Sequence, residues 1–188
     1  MTVEDTASVA EESVVDRLDR LERSNRQMRD ELEIRRLLAW YGFYVDHGLH
    51  DEWAGLFTHD ASIDITMYHG DDPSNMDPDL FRPTVYAGRE EIIKVVRSPA
   101  MVAMAGRTQH HMDGQPAIID FESDDVAVAT AYAVLYIVAD SPDRTVAQQI
   151  LTVSRLQFVK SDGEWFIRRC VRRRLGADTL PLLPDLRR

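Results

Sequence analysis

Residues 126–175 read VAVATAYAVLYIVADSPDRTVAQQILTVSRLQFVKSDGEWFIRRCVRRRL. Three apolar-rich segments, 126–139, 146–159 and 164–175, are separated by Asp140-Ser141-Pro142-Asp143 and Ser161-Asp162-Gly163. Both separators are turn chemistry, and Asp-Gly between two strands is a strong hairpin signal. A fourth strand-like segment, 107–121, precedes them across Ser123-Asp124-Asp125. Gly114-Gln115-Pro116 inside it predicts a bulge or bend. The C-terminal part of the chain therefore predicts a meander of long antiparallel strands.

Upstream of residue 100 the period is mainly helical. Leu18, Leu21, Asn25, Met28 and Leu32 are spaced three, four, three, four, a heptad seam with one polar residue in it. It predicts an arm helix packed on its own domain or on a sister subunit, with a free-standing coiled coil as the lesser alternative, because the seam runs little over two heptads. Ile34, Leu37, Leu38, Tyr41, Tyr44 and Val45 continue as a helix with a wide apolar stripe, which Gly48 stops. A short second helix fits 51–57, with Asp51 as its N-cap. Residues 61–68 are strand-like, and 88–97 predict a third helix that ends before Pro99. Residues 70–84, GDDPSNMDPDLFRPT, are a long loop of a length that often carries function. Helices followed by strands indicate the α+β class. A long, strongly bent sheet can wrap a helix into a cone and enclose a pocket. The expected organisation is a tail and arm helix over 1–32, a cone domain over 33–175 and a C-terminal tail over 176–188. Within the first segment, residues 1–12 are expected to be disordered.

The chain has 188 residues, 44% of them hydrophobic and 29% charged, an ordinary composition for a soluble domain. Its net charge of −10 repels phosphate backbones and anionic membranes, so neither nucleic acid nor a membrane is an expected partner. The longest uncharged stretch, 126–139, is too short to span a bilayer as a helix. A single cysteine, Cys170, excludes an internal disulfide, a zinc ribbon and a CxxC redox pair. The acidic start has no apolar run of the kind a secretory signal needs. The expectation is a reduced, cytoplasmic protein.

The order of elements resembles the nuclear transport factor 2-like superfamily, and within it the SnoaL-like, polyketide cyclase-like group. The matching residues are Glu33-Ile34-Arg35-Arg36-Leu37-Leu38, Tyr41 with Asp46 five residues on, and Asp51-Glu52-Trp53-Ala54-Gly55-Leu56-Phe57. Asp60-Ala61, Gly88-Arg89-Glu90, Thr108-Gln109-His110-His111 and Asp162-Gly163-Glu164-Trp165 complete the pattern. Arg107-Thr108-Gln109-His110 is similar to the histidine segment of scytalone dehydratase. That enzyme and the hexachlorocyclohexane dehydrochlorinases share an aspartate on the first helix and a histidine on the first long strand, a catalytic dyad inside the cone. Bile acid 7α-dehydratases look similar and have a tyrosine five residues before the aspartate. The resemblance carries these roles to Tyr41, Asp46 and His110. The second histidine, and the serine and asparagine that scytalone dehydratase uses, find no counterpart, which argues against scytalone as substrate.

The residues themselves allow two readings. On a strand, Thr108, His110 and Met112 share one face. A lone histidine there is more often a hydrogen-bonded core residue, and Asp46 has a structural reading as a helix-end cap or a partner of Arg107. Paired, however, a buried carboxylate holds a histidine in one tautomer and makes it a usable base, typically worth about 10²- to 10⁴-fold in rate. Tyr41 is either a core aromatic or a donor to a substrate carbonyl oxygen. Tyr41 and Asp46 point about 140° apart on an ideal helix, so both reach one pocket only if the helix end unwinds or the pocket wraps around it. Tyr44, Tyr68, Met112 and Tyr132 are candidates for lining the substrate pocket, with Tyr136 a further tyrosine that alternation does not assign.

His47 and His50 have no third ligand at a suggestive spacing, so no metal is expected, and no cofactor. Asp60 and Asp64 read as turn and strand-edge residues. The run Arg168-Arg169 and Arg172-Arg173-Arg174 divides between two strand faces, and Arg172 or Arg174 at the pocket mouth could hold a substrate anion. Cys170 is expected to be buried and inert. The function these residues suggest is a cofactor-independent lyase or isomerase on a small cyclic or polyketide-, steroid- or aromatic-derived carbonyl compound. The alternatives are a non-catalytic small subunit resembling the β subunits of aromatic-ring-hydroxylating dioxygenases, and a small-molecule carrier. The expected partners are an apolar small molecule and further copies of the chain, in a homodimer or homotrimer.

Overall fold

The computed structural model describes residues 13–66, 84–111, 117–139 and 142–175. It opens with a single helix of 33 residues, α1 (Val14–Asp46). Ser13 caps it, its hydroxyl accepting from the Asp16 N–H at 3.1 Å. The helix runs unbroken from the heptad seam into the apolar stripe. Every residue from 13 to 29 is exposed, so the arm half does not pack on its own domain. From Asp30 onward α1 is seated. Asp30 accepts from the Trp165 indole N–H at 3.0 Å and pairs with Lys160.

Next comes α2 (His50–Gly55), which starts one residue and ends two residues earlier than expected. Its N-cap is Leu49, not Asp51. Asp51 instead sits in the first turn, where a carboxylate suits the helix dipole, and pairs with Arg97. The strand β1 (Phe57–Thr66) follows, then β2 (Thr84–Ala87), α3 (Arg89–Val96) and α4 (Pro99–Met104). Helix α4 is absent from the sequence reading, which stopped at Pro99. Proline is instead tolerated in a first turn, and Ser98 caps it. The remaining strands are β3 (Thr108–His111), β4 (Ile118–Ser123), β5 (Val126–Val138), β6 (Val146–Ser161) and β7 (Glu164–Arg174).

The expected single strand over 107–121 is thus two strands, β3 and β4, which pair with successive stretches of β5. Gly114-Gln115-Pro116, Tyr68, Met112, the 70–83 part of the loop and both chain ends lie outside the described residues. The sheet order is β2-β1-β7-β6-β5-β3, with β4 also on β5. All pairs are antiparallel except β1 with β7. The β6–β7 hairpin turns at Asp162 and Gly163, both with positive φ (52° and 85°), as the Asp-Gly signal predicts.

The helices cover one face of this curved sheet. Ile34, Leu37, Leu38, Tyr41 and Val45 of α1 pack with Trp53, Phe57, Ile92 and Val96 against the sheet. The sheet contributes Ala127, Ala129, Ala131 and Ala133, a row of small side chains, beside Leu156, Phe158, Ile167 and Cys170. The architecture is α+β, as expected. No helix among the described residues is long and apolar enough to cross a membrane.

Candidate functional site

The inner face of the sheet changes character along its strands. Near the β6–β7 hairpin, the cross-strand pairs are apolar, Phe158 with Ile167 and Leu156 with Cys170. The next inward pair is Ser154 with Arg172, and Thr152 lies beyond it. All three of these polar side chains are buried. Helix α1 runs the same way, from Asp30 at the hairpin to Asp46 at the polar end.

Two groups of polar side chains assemble there. In the first, the Arg172 guanidinium lies over the Tyr41 ring, 5.2 Å from its centroid. Its Nε donates to Ser154 Oγ at 3.0 Å. Burial pushes the Tyr41 hydroxyl up from 10.0 to about 12, against the opposing pull of the Arg172 charge. The phenol therefore stays protonated and is a hydrogen-bond donor throughout the neutral range. Cys170, one row away, is fully buried and its thiol is likewise raised by burial, consistent with an inert side chain.

The second group forms at the C-terminus of α1. Asp46 is buried, and its Oδ1 accepts from the Thr108 hydroxyl at 2.9 Å. Its backbone oxygen, one of the carbonyls a helix end leaves without an intrahelical partner, accepts from the Gly106 N–H at 2.8 Å. The turn into β3 is thereby docked on the helix end. A carboxylate in a last helical turn opposes the macrodipole, and no basic residue shares that turn. Helix stability is therefore not what this position serves.

Arg107, which one structural reading set beside Asp46, donates to the Val138 carbonyl at 3.4 Å. His110 stands two residues along β3 from Thr108, in register with Leu135. Leu135 is buried on the same side of β5 as the alanine row, so His110 holds an inward register position. Tyr41 and Asp46 reach the interior without any unwinding of α1. They point to different strands of the curved sheet, Tyr41 to β7 and Asp46 to β3.

The other expected site residues divide. Tyr44 is half-buried on α1 and stacks on Trp40, with ring centroids 5.1 Å apart. Tyr132 is opposite Val153 on the face away from the helices and is 48% exposed, so it does not line the interior. Tyr136 shares that outer register. Arg172 is not at a mouth but inside, 5% exposed. Arg173 is on the outer face in a two-pronged ion pair with Asp64 at 2.8 and 2.9 Å, and Asp60 pairs with Arg168 at 3.4 Å. His47 stacks on Phe43, and its Nδ1 meets the Phe43 carbonyl at 2.8 Å. Among the described residues no three metal-ligating side chains converge. The groove on the outer face, about 310 Å³, is lined by Asp64, Glu122, Arg155, Gln157, Arg169 and Arg173 among others, and is separate from the buried polar groups.

Residues 26–171 match the family model of the SnoaL-like domain. No curated protein matches the chain. Among solved structures, the chain is similar to a nuclear transport factor 2-like protein with a cystatin-like fold from Novosphingobium aromaticivorans. The two are 20% identical with a TM-score of 0.71, over 93% of this chain and 99% of that one. A candidate scytalone dehydratase from the same organism is 18% identical, with a TM-score of 0.61 over 81% and 89% of the two chains. A type 2 hexachlorocyclohexane dehydrochlorinase is 15% identical, with a TM-score of 0.60 over 81% and 90%. At these identities the likeness is one of fold.

Proposed function

Because the chain belongs to the SnoaL-like domain family, we propose that it is a cofactor-independent lyase or isomerase that removes a proton beside a carbonyl group. The substrate class is a small cyclic or polyketide-, steroid- or aromatic-derived carbonyl compound, bound between α1 and the sheet. The observation that carries this reading is the Thr108–Asp46 hydrogen bond. It anchors a buried carboxylate to the strand that bears His110, two residues from Thr108.

In this reading His110 is the base, and Asp46 orients it and stabilises its protonated form. Tyr41, held protonated by burial and backed by the Arg172 charge, donates to the oxygen on which enolate charge develops. A leaving group then departs, or the proton returns at another carbon. Two of the similar structures bear names denoting the loss of water and of hydrogen chloride, both eliminations.

The test is a panel of cyclic hydroxy-ketones and β-hydroxy thioesters, followed for water loss or a double-bond shift. Activity on a panel member is expected to fall about 10²-fold or more in His110→Ala and in Asp46→Asn, with the double variant little worse than either. Activity that survives both changes makes the pair structural and ends this mechanism.

A further inference from the structure

Helix α1 carries a second apolar stripe that its own domain leaves bare. Val14, Leu18, Leu21, Met28 and Leu32 are each more than half exposed. With Asn25 they are spaced four, three, four, three, four, alternating d and a positions of a heptad over nearly three repeats. At about 100° per residue, these six residues fall within about 40° of one line along the helix. Ile34, Leu37, Leu38, Tyr41 and Val45, which face the core, are centred on roughly the opposite side. The seam therefore points directly away from the cone. Phe43, also exposed, extends it along the same line.

We propose that this seam pairs with the same seam of a second copy of the chain, in a parallel, in-register two-stranded coiled coil. Three observations select that occupant. Asn25 at an a position is costly against an apolar layer but finds a matching amide at its own level only when two copies align in parallel. An antiparallel pair would set it against Leu21 or Met28. Arg17 and Glu22 occupy flanking g and e positions, and in the parallel register each Arg17 meets the partner's Glu22, twice per dimer by symmetry. Finally, the seam faces away from the cone, so two cones attached to opposite sides of the helix pair do not collide.

The 188-residue chain is expected to be a dimer by light scattering at micromolar concentration; a monomer overturns the proposal. Leu21→Glu is expected to convert it to monomer while the near-ultraviolet circular dichroism of the cone is retained. A dimer that persists in Leu21→Glu overturns the seam as its interface. Arg17→Glu and Glu22→Arg each place like charges together and are expected to dimerise more weakly than wild type. Mixed in equal amounts, they regain both opposite-charge contacts and form the heterodimer. If the mixture associates no better than the separate variants, the parallel register is wrong. All three substitutions lie on the exposed arm, so the outcome does not depend on the cone's chemistry.

Discussion

At Tyr41 a buried hydroxyl links stability to the proposed chemistry. Burial holds its hydroxyl at about 12 instead of 10.0, so the folded state keeps the proton more tightly than the unfolded chain does. The resulting stabilisation is fully present below pH 10 and is lost as pH rises from 10.0 toward about 12. Two units correspond to roughly 3 kcal/mol. Tyr41→Phe keeps the ring under Arg172 but removes the titration. Urea unfolding of the two proteins at a series of alkaline pH values is expected to show wild type losing stability more steeply above pH 10. Parallel curves would contradict the assigned burial effect. Cys170 is shifted in the same direction, but it is common to both proteins and cancels in the comparison. Of this site, Tyr41, Asp46 and His110 were legible as candidates because a family pattern singles them out. Thr108 was legible only as a residue on the face of His110. Its bond to Asp46 spans 62 positions of sequence and is a product of the fold.

Among the elements, α1 and the β6–β7 hairpin are coupled through Asp30. Its carboxylate takes the Trp165 indole N–H and the Lys160 ammonium, and both partners belong to the hairpin. Asp30→Ala is expected to destabilise the domain by about 2 kcal/mol, because a buried indole N–H and a partly buried ammonium both lose their acceptor. Chemical denaturation measures this, and a change within experimental scatter would mean that solvent replaces the carboxylate. The hairpin itself was readable, since Asp-Gly suits the two positive φ values the turn requires. Helix α4 was not, because Pro99 reads equally well as the end of one helix and the start of the next.

For the molecule as a whole, the exposed arm implies that the cone folds without it. Deletion of residues 1–28 is expected to leave cooperative unfolding and the near-ultraviolet signature intact while abolishing self-association. Loss of cooperative folding would show that the arm supports the cone in a way its exposure does not suggest. The class of fold followed from the sequence alone, because helical and strand periods are local properties of which residues are apolar and where turns interrupt them. The seam was likewise visible as a heptad. Which face of each strand looks inward was decided only by tertiary structure. In β7, Trp165 and Ile167 face the core, and simple alternation would carry that face on to Arg169, Val171 and Arg173. The register with β6 shifts between Gln157 and Phe158, leaving Arg168 as an extra residue. One inserted residue exchanges the two faces of everything after it. Cys170 and Arg172 are therefore turned inward, and Arg173 is turned out to Asp64. The buried arginine over Tyr41 exists because of that bulge. A bulge depends on how two strands pair across the sheet, and the local sequence does not record it.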